Sequence, residues 1–146
     1  MKFLVPVDGS KSSKVSVKAA KKLGSKFGAK IYLLTVVPEP QFFDQNPTSF
    51  PYSTEIEKAN TERAEFVLSE GEDILMDYEY EHEVFYTNGS PAQKIVEFAD
   101  KNGIDLIVMG NRGLGAFSRT LLGSVSNKVI NTAKCDVYVV KKETEE

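Results

Sequence analysis

The sequence predicts an α/β protein with one parallel sheet and helices on both of its faces. Three observations lead to this fold class. Short apolar stretches of strand length alternate five times with amphipathic stretches of helical period. The apolar stretches are nearly continuous, as they are in strands that are buried on both faces. The chain of 146 residues has the length of one domain, and its 41% hydrophobic and 27% charged residues are ordinary for a folded protein.

The first predicted strand covers residues 2–7, an apolar run without a helical period, and the Asp-Gly-Ser sequence at 8–10 ends it. A helix follows, with Gly28 as its C-terminal cap. Its buried side is predicted from apolar side chains that recur every four residues: Val15, Ala19, Leu23 and Phe27. Residues 31–37 are β-branched and aliphatic, and they predict the second strand.

A long loop and a second helix come next. Residues 38–53 contain four of the six prolines and predict a loop, and loops of this length are usually functional or mobile. The helix after it has an acidic exposed face. Its core side is predicted from six positions: Ile56, Ala59, Arg63, Phe66, Val67 and Ile74.

The rest of the chain continues the alternation of strand and helix. Residues 83–87, 105–109 and 137–140 predict the third, fourth and fifth strands. Ser90 and Pro91 are the residue types of a helix cap and a first helical position. The third helix is predicted to bury Ile95, Val96, Phe98 and Ala99, and the fourth Val125, Val129, Ile130 and Ala133.

Charge is distributed unevenly along the chain. The net charge of −3 argues against a dedicated nucleic-acid-binding protein. Residues 1–37 nevertheless carry eight lysines and one acid, whereas residues 54–83 carry eleven acids and two basic residues. The lysines could form a polyphosphate or nucleic-acid patch, or two neighbouring helices of opposite charge could complement each other. The second explanation is favoured, because aromatic residues do not alternate with the lysines.

Several classes of protein and site are not supported. No apolar run approaches the ~18 residues of a membrane span, and the N-terminus does not have the pattern of a signal peptide. A cytoplasmic protein without membrane partners is therefore expected. The single cysteine, Cys135, cannot form an internal disulfide and is expected to be a half-buried structural thiol. The single histidine, His82, is expected at the surface, away from the ligand site.

The ligand site is predicted beyond the first and fourth strands, where Asp8 and a glycine cluster at 110–123 come together in a doubly wound sheet. Glycines that open a helix let backbone N–H groups approach phosphate oxygens. The alternative is a glycine-rich turn with Ser124 as a helix cap, which needs no ligand. A Walker loop would need lysine where Ser124 stands, and the dinucleotide fingerprint would need glycine in place of Ser118.

Gly110, Gly113, Gly123 and Ser124 follow the pattern glycine, two residues, glycine, nine residues, glycine-serine. With this motif, and with its strands in the family's positions, the chain resembles the ATP-binding branch of the universal stress protein family. The resemblance implies a single domain over residues 1–146, with an acidic tail at 142–146. It also implies a five-stranded parallel sheet in the order 3-2-1-4-5, of the adenine nucleotide α-hydrolase-like type, with ATP and Mg²⁺ or Mn²⁺ bound across strands one and four.

The resemblance also assigns roles to individual residues. Asp8 would accept hydrogen bonds from the ribose hydroxyls, although it could instead cap the first helix. The backbone of Val36 would meet the adenine edge, with Pro6, Val7 and Met109 near the base and sugar. Arg112 could reach a phosphate. The triphosphate would be held by Gly110, Gly113, Gly123, Ser124, Val125 and Ser126.

The function expected from this resemblance is a nucleotide-dependent signalling or stress-response module. One alternative is a slow ATPase or a nucleotidyl-transfer enzyme that uses the same site, and another is an interaction protein without nucleotide. In the strand order that the resemblance implies, the strand at 136–141 lies at a sheet edge, and it lacks an internal lysine, proline or bulge. Antiparallel pairing in a homodimer is expected, unless the acidic tail covers that edge.

Overall fold

The computed structural model describes residues 1–38, 50–111 and 122–141, with side chains from residue 54 onward in the second range. The strands are β1 (Lys2–Pro6), β2 (Lys30–Val37), β3 (His82–Asn88), β4 (Leu106–Gly110) and β5 (Asp136–Val140). The helices are α1 (Lys11–Phe27), α2 (Phe50–Ile74), α3 (Pro91–Lys101) and α4 (Ser124–Thr132). Because α2 begins at Phe50, the last four residues of the loop expected at 38–53 are helical. The rest of that loop from residue 39 and the tail at 142–146 lie outside the described residues.

The strands form one parallel five-stranded sheet in the order β3-β2-β1-β4-β5, which confirms the predicted fold class and strand order. The pairing of β2 with β3 is the longest, with seven consecutive residue pairs from Ile31–His82 to Val37–Asn88. Right-handed crossovers with this order put α1 and α2 on one face of the sheet and α3 and α4 on the other.

Each face of the sheet has its own hydrophobic core. Under α1 and α2 lie Phe3, Val5, Ile31 and Leu33, and under α3 and α4 lie Leu4, Leu34 and Ile107. Alternate residues of β1 and β2 enter opposite cores, as expected for strands buried on both sides. No helix in the described part of the chain is both long and apolar enough to cross a bilayer.

The buried face of α1 differs from the predicted one. Phe27 is 57% exposed, and the other three predicted residues are only partly buried. The buried positions are mostly small: Ser12, Ser13, Ser16, Val17, Ala20 and Gly24. Small side chains let α1 lie close to the sheet, so the apolar row at 15, 19 and 23 is turned to the flank of the helix. Gly28 caps the helix in the left-handed region as predicted, with φ +65°.

The core faces of α2 and α4 were also only partly predicted. In α2, Phe66 is 62% exposed, Ala59 and Arg63 are exposed, and Val67 is the one predicted residue that is fully buried. The helix instead packs against the sheet through Ala64, Val67, Leu68 and Gly71, and Leu75 is buried directly after its end. In α4, Val129 is buried but Ile130 is exposed. On α3, Ile95 and Ala99 are buried as predicted, whereas Val96 and Phe98 are partly buried.

The basic and acidic segments complement each other, as favoured from the sequence. Lys14 on α1 forms an ion pair with Glu70 on α2, with 3.2 Å between Nζ and Oε2. Seven residues further along, Lys21 pairs with Asp77, just beyond the end of α2. Both partners advance by seven residues from the first pair to the second, so α1 and α2 run side by side in the same direction.

Candidate functional site

The carboxyl ends of β1 and β4 lie side by side at the centre of the sheet. The chain leaves β1 toward β2 on one side, and β5 lies on the other side of β4. This is the point where the strand order reverses, and ligands of doubly wound sheets bind at such a point. Helix α1 begins here on one face of the sheet and α4 begins here on the other.

The turn from β1 into α1 is held by short side chains. Asp8 Oδ1 accepts a hydrogen bond from the Ser10 N–H at 2.9 Å, and Gly9 takes φ +86°. Ser10 is the N-cap of α1, because its Oγ accepts from the Ser13 N–H at 3.1 Å. The alternative in which Asp8 caps this helix is therefore wrong. Its carboxylate instead folds the turn that leads into the helix.

Gly110, the last residue of β4, lies between the first turns of α1 and α4. A Cβ at this position would overlap Ser12 Oγ of α1 and lie 3.0 Å from both Cβ and O of Ser12. From the other face, the Ser126 hydroxyl donates to the Gly110 carbonyl at 2.7 Å. A glycine is required here for close packing, whatever its role toward a ligand.

The N-terminus of α4 has no side-chain cap. Its N-cap is Gly123, so the alternative in which Ser124 caps the helix is wrong. The Gly123 N–H donates to Asn111 O at 2.7 Å, and the Asn111 N–H donates to Val140 O at 3.2 Å, which ties the helix start to β4 and β5. The first amides of any α-helix lack intrahelical acceptors, and here no cap side chain supplies one. The start of α4 is therefore suited to an anion.

The side chains of Ser124 and Ser126 lie in different surroundings. Ser126 is only 4% exposed, and its hydroxyl proton is used in the bond to Gly110. Its side chain positions α4 against β4 rather than reaching outward. Ser124 is exposed at the first position of the helix.

The backbone of Val36 points toward the same crevice. The N–H of Lys30 donates to Met1 O, and Leu34 O accepts from the N–H of Val7, so even-numbered residues of β2 turn their backbone groups toward β1. Directions alternate along a strand, so Val36 follows the same rule. Because β1 ends at Pro6, the Val36 groups point into the space beyond its end.

The other predicted residues fall into three groups. Pro6 is half-buried at the end of β1, Val7 is buried, and both border the crevice. Met109 is 4% exposed in the core under α3 and α4, so it belongs to the floor rather than to an open wall. Arg112 and Gly113 lie outside the described residues. The structure therefore brings ten of the predicted positions to one edge of the sheet.

Two residues of this region were not predicted. Ser12 Oγ and Asn111 Oδ1 are buried and have no hydrogen-bond partner among the described residues. Buried oxygens without a partner are uncommon, and each points to a bound group or ion, or to water. Nothing in the sequence singles out Ser12, because its position follows from the packing of α1 against β4.

Reactive side chains are scarce around the site. Within the described ranges, no three or more His, Cys, Asp or Glu side chains group into a metal site. His82 Nε2 lies 3.3 Å from Glu72 Oε2 at the opposite end of β3, away from the crevice. Cys135 is half-buried as predicted, and burial raises the pKa of its thiol, an effect to which nearby carboxylates add, so the thiolate form is disfavoured.

Comparison with known proteins identifies relatives along nearly the whole chain. The model described as the universal stress protein family matches residues 1–141. A universal stress protein of Methanocaldococcus jannaschii is 35% identical over 146 residues, which is 99% of this chain and 84% of the relative.

Solved structures agree with the fold. The universal stress protein UspA from Lactobacillus plantarum has a TM-score of 0.86 and 25% identity, and the match covers 96% of this chain and 97% of that one. A universal stress protein in complex with cAMP has a TM-score of 0.74 and 28% identity, with 98% of both chains covered.

Proposed function

Because this chain belongs to the universal stress protein family, we propose that it is a nucleotide-dependent signalling or stress-response module that binds ATP. One observation carries the proposal. An α-helix without a side-chain cap begins at Gly123, beside Gly110, at the point where the strand order reverses. A cytoplasmic location is part of the proposal, because ATP is held inside the cell.

The triphosphate is proposed to bind at the start of α4. The amides of Ser124, Val125 and Ser126 occupy the first turn, where the helix dipole is positive. Gly123 adds no side chain in front of them. Gly113 and Arg112 belong to the proposed phosphate site through the family motif alone.

The nucleoside is proposed to lie over the ends of β1 and β2. The backbone of Val36 offers a donor and an acceptor to the adenine edge, and Asp8 Oδ2 is proposed to accept from the ribose hydroxyls. Pro6 and Val7 border this position. The relative solved with cAMP supports an adenine nucleotide in this family.

A divalent cation fits this site only as part of the nucleotide complex. Mg²⁺ prefers oxygen ligands, and Asn111 Oδ1 supplies one buried oxygen near the crevice. Since the described residues contain no metal cluster of their own, most ligands would come from the phosphates. Mg²⁺ or Mn²⁺ would then offset the charge of the triphosphate and orient it.

The test is thermal unfolding with and without magnesium and ATP, in the wild type and in Gly123→Val. ATP at 100 times its Kd stabilises the native chain by about 2.7 kcal/mol and raises the Tm. The backbone at Gly123 is extended, a conformation that valine also adopts, and the valine side chain is expected to block the first-turn amides. Thr132→Val, exposed at the other end of α4, is the matched control and keeps the ATP shift. An ATP shift that survives in Gly123→Val removes this helix start from the site.

The ribose role is tested by titration of Asp8 variants with ATP. Asp8→Ala is expected to weaken binding by about 1–3 kcal/mol, the scale for a hydrogen bond to a charged group. Asp8→Asn keeps the acceptor for the Ser10 N–H and so separates loss of the turn from loss of the charge. Equal affinity in all three proteins would make the ribose assignment wrong. Release of ADP or AMP with turnover would instead support the enzyme alternative.

We also propose that β5 pairs with its copy in a homodimer. Val140 O accepts from β4, so by alternation Val137, Val139 and Lys141 turn their backbone groups away from the sheet. In an antiparallel pair of β5 strands, each outward-facing residue lies opposite an outward-facing residue of the copy. Odd-numbered residues therefore lie opposite odd-numbered ones, and the two-fold axis passes through a residue, such as Val139 or Tyr138, and not between two residues. The apolar row of α1 lies on the flank away from α2, beside this edge, and it supports self-association.

Val139→Pro tests the dimer, because it removes an outward-facing N–H and leaves the ladder with β4 intact. Light scattering is expected to show a dimer for the wild type and a shift toward monomer for the variant. Tyr138→Pro is the contrasting variant: its N–H faces β4, so it weakens folding itself. A wild-type monomer at micromolar concentration would contradict the proposal.

A further inference from the structure

The edge strand β3 presents a row of outward-facing backbone groups. Glu81 O accepts from the Ile31 N–H at 3.0 Å, and the Gly89 N–H donates to Val37 O at 2.9 Å. The N–H and C=O groups of the odd-numbered β3 residues therefore point toward β2 along all seven pairs of the two strands. The outward groups belong to His82, Val84, Tyr86 and Asn88. In the described part of the chain, no strand pairs with this side of β3.

Among the residues that the structure describes, none supplies this edge with the usual protection against pairing. Natural edge strands are blunted by lysine, proline, a bulge or short length. Residues 84–88 contain no charge and no proline, and the register with β2 is unbroken. The charge of Glu83 is matched by Lys30 on β2. Tyr86 is exposed on the side of the strand that carries α2.

The surroundings of β3 are acidic. Glu72 on α2 contacts His82 on β3, so the flank of α2 that carries Glu72 faces this edge. Glu65 lies seven residues earlier on the same flank, and both side chains are exposed. The α1 lysines neutralise acids on the opposite flank of α2, through pairs such as Lys14–Glu70. The β3 edge therefore combines open backbone groups with an excess of negative charge.

A second copy of the chain fits this edge poorly. Antiparallel pairing of β3 with its copy would continue the sheet around a two-fold axis perpendicular to it. The two α2 helices would then lie on the same face, with Glu65 and Glu72 turned toward the same residues of the other copy. Like charges across an interface disfavour such pairing. The β5 edge differs, because α1 presents an apolar row there.

We propose that the β3 edge binds an extended basic peptide of another protein by β-strand addition. The backbone of the peptide pairs with residues 82–88, and its lysine or arginine side chains lie on the α2 face beside Glu65 and Glu72. Small apolar side chains at the alternate positions lie on the other face, next to Phe85. The nucleotide takes no part in this contact, so the proposal stands or falls independently of ATP binding.

Hydrogen exchange of individual amides, measured by NMR, tests the proposal with a short peptide that alternates lysine and valine. The amides of Val84, Tyr86 and Asn88 are expected to exchange about tenfold more slowly when about nine-tenths of the chains are occupied. The amides of Phe85 and Thr87 already face β2 and are expected to change little. A peptide that alternates glutamate and valine is the control and is expected to give no protection.

Two variants separate backbone pairing from charge. Tyr86→Pro removes one outward-facing N–H and is expected to abolish the protection, whereas the matched Val139→Pro on β5 keeps it. Glu65→Lys combined with Glu72→Lys leaves the backbone unchanged and is expected to reverse the preference toward the glutamate peptide. This second variant tests the proposal even if the proline disturbs folding.

Three results overturn the inference. The lysine peptide gives no protection at β3, or both peptides protect it equally, or the wild type forms assemblies larger than a dimer that Tyr86→Pro abolishes. The last result would mean that a second copy occupies this edge. Loss of ATP binding in any variant would count against the proposed function only. It would not change the conclusion about peptide binding at β3.

Discussion

Gly110→Ala is expected to destabilise the protein through a clash that can be traced to one residue. The added Cβ would overlap Ser12 Oγ and lie 3.0 Å from Ser12 Cβ and from Ser12 O. Rotation of the serine side chain relieves the first contact only, because the other two atoms are fixed by the backbone of α1. Overpacking of this kind costs about 1–3 kcal/mol, and the fixed contacts place the expected value at about 2–3 kcal/mol. The Tm then falls by roughly 8 °C.

A double-mutant cycle with Ser12→Gly measures this contact. Ser12→Gly removes Oγ and Cβ and leaves only the backbone oxygen near the new methyl group, so the two changes are expected to couple by about 1–2 kcal/mol in urea unfolding. Gly103→Ala is the control. No atom lies within 4 Å of its added Cβ, and its φ of +63° makes the cost one of backbone strain, about 1–2 kcal/mol.

The double-mutant cycle also tests the role of Gly110 in the candidate site. Free energies for Gly110→Ala and Ser12→Gly that add within about 0.5 kcal/mol would refute the steric explanation. If the double variant regains stability but does not bind ATP, Gly110 is needed both for packing and for the approach of phosphate. Recovered ATP binding would assign the glycine to packing alone.

Three further predictions concern single groups. Tyr78→Phe removes the buried hydroxyl that donates to Ala29 O at 2.6 Å and should cost about 1–3 kcal/mol in urea unfolding, because the carbonyl loses its partner. The hydrogen bond from Lys21 lowers the pKa of Asp77, so Lys21→Met should lower stability at neutral pH. That difference should disappear as the pH falls below about 4, because a depressed carboxyl pKa stabilises the fold only above it. Cys135, whose pKa is raised by burial, should react with iodoacetamide more slowly than free cysteine at pH 8, and an equal rate would contradict its burial.

The sequence alone was sufficient to predict the strands and helices, their order along the chain, and the edge of the sheet that carries the candidate site. Five apolar runs separated by helical patterns allow few architectures, and right-handed crossovers reduce them further. The family motif then supplied the strand order, which the structure has. Gly28 could be recognised as a helix cap because the positive φ at such a position favours glycine.

The rotation of each helix about its axis could not be obtained in this way. A period shows that a helix has an apolar side, but the surface beneath it decides which residues are buried. Ser16 and Gly71 are buried because small side chains allow close approach to the sheet, whereas Phe66 is exposed. Ser12 lies at the candidate site for the same reason, because α1 packs closely against β4.

Only the tertiary structure decided which backbone groups point outward. Along a strand these directions alternate, so they depend on the register with the neighbouring strand and not on residue type. A shift of one residue would turn Val36 away from the crevice and reverse the outward rows of β3 and β5. The residues of the sequence therefore indicated where a ligand and a partner could bind, and the pairing of the strands determined which N–H and C=O groups are available to them.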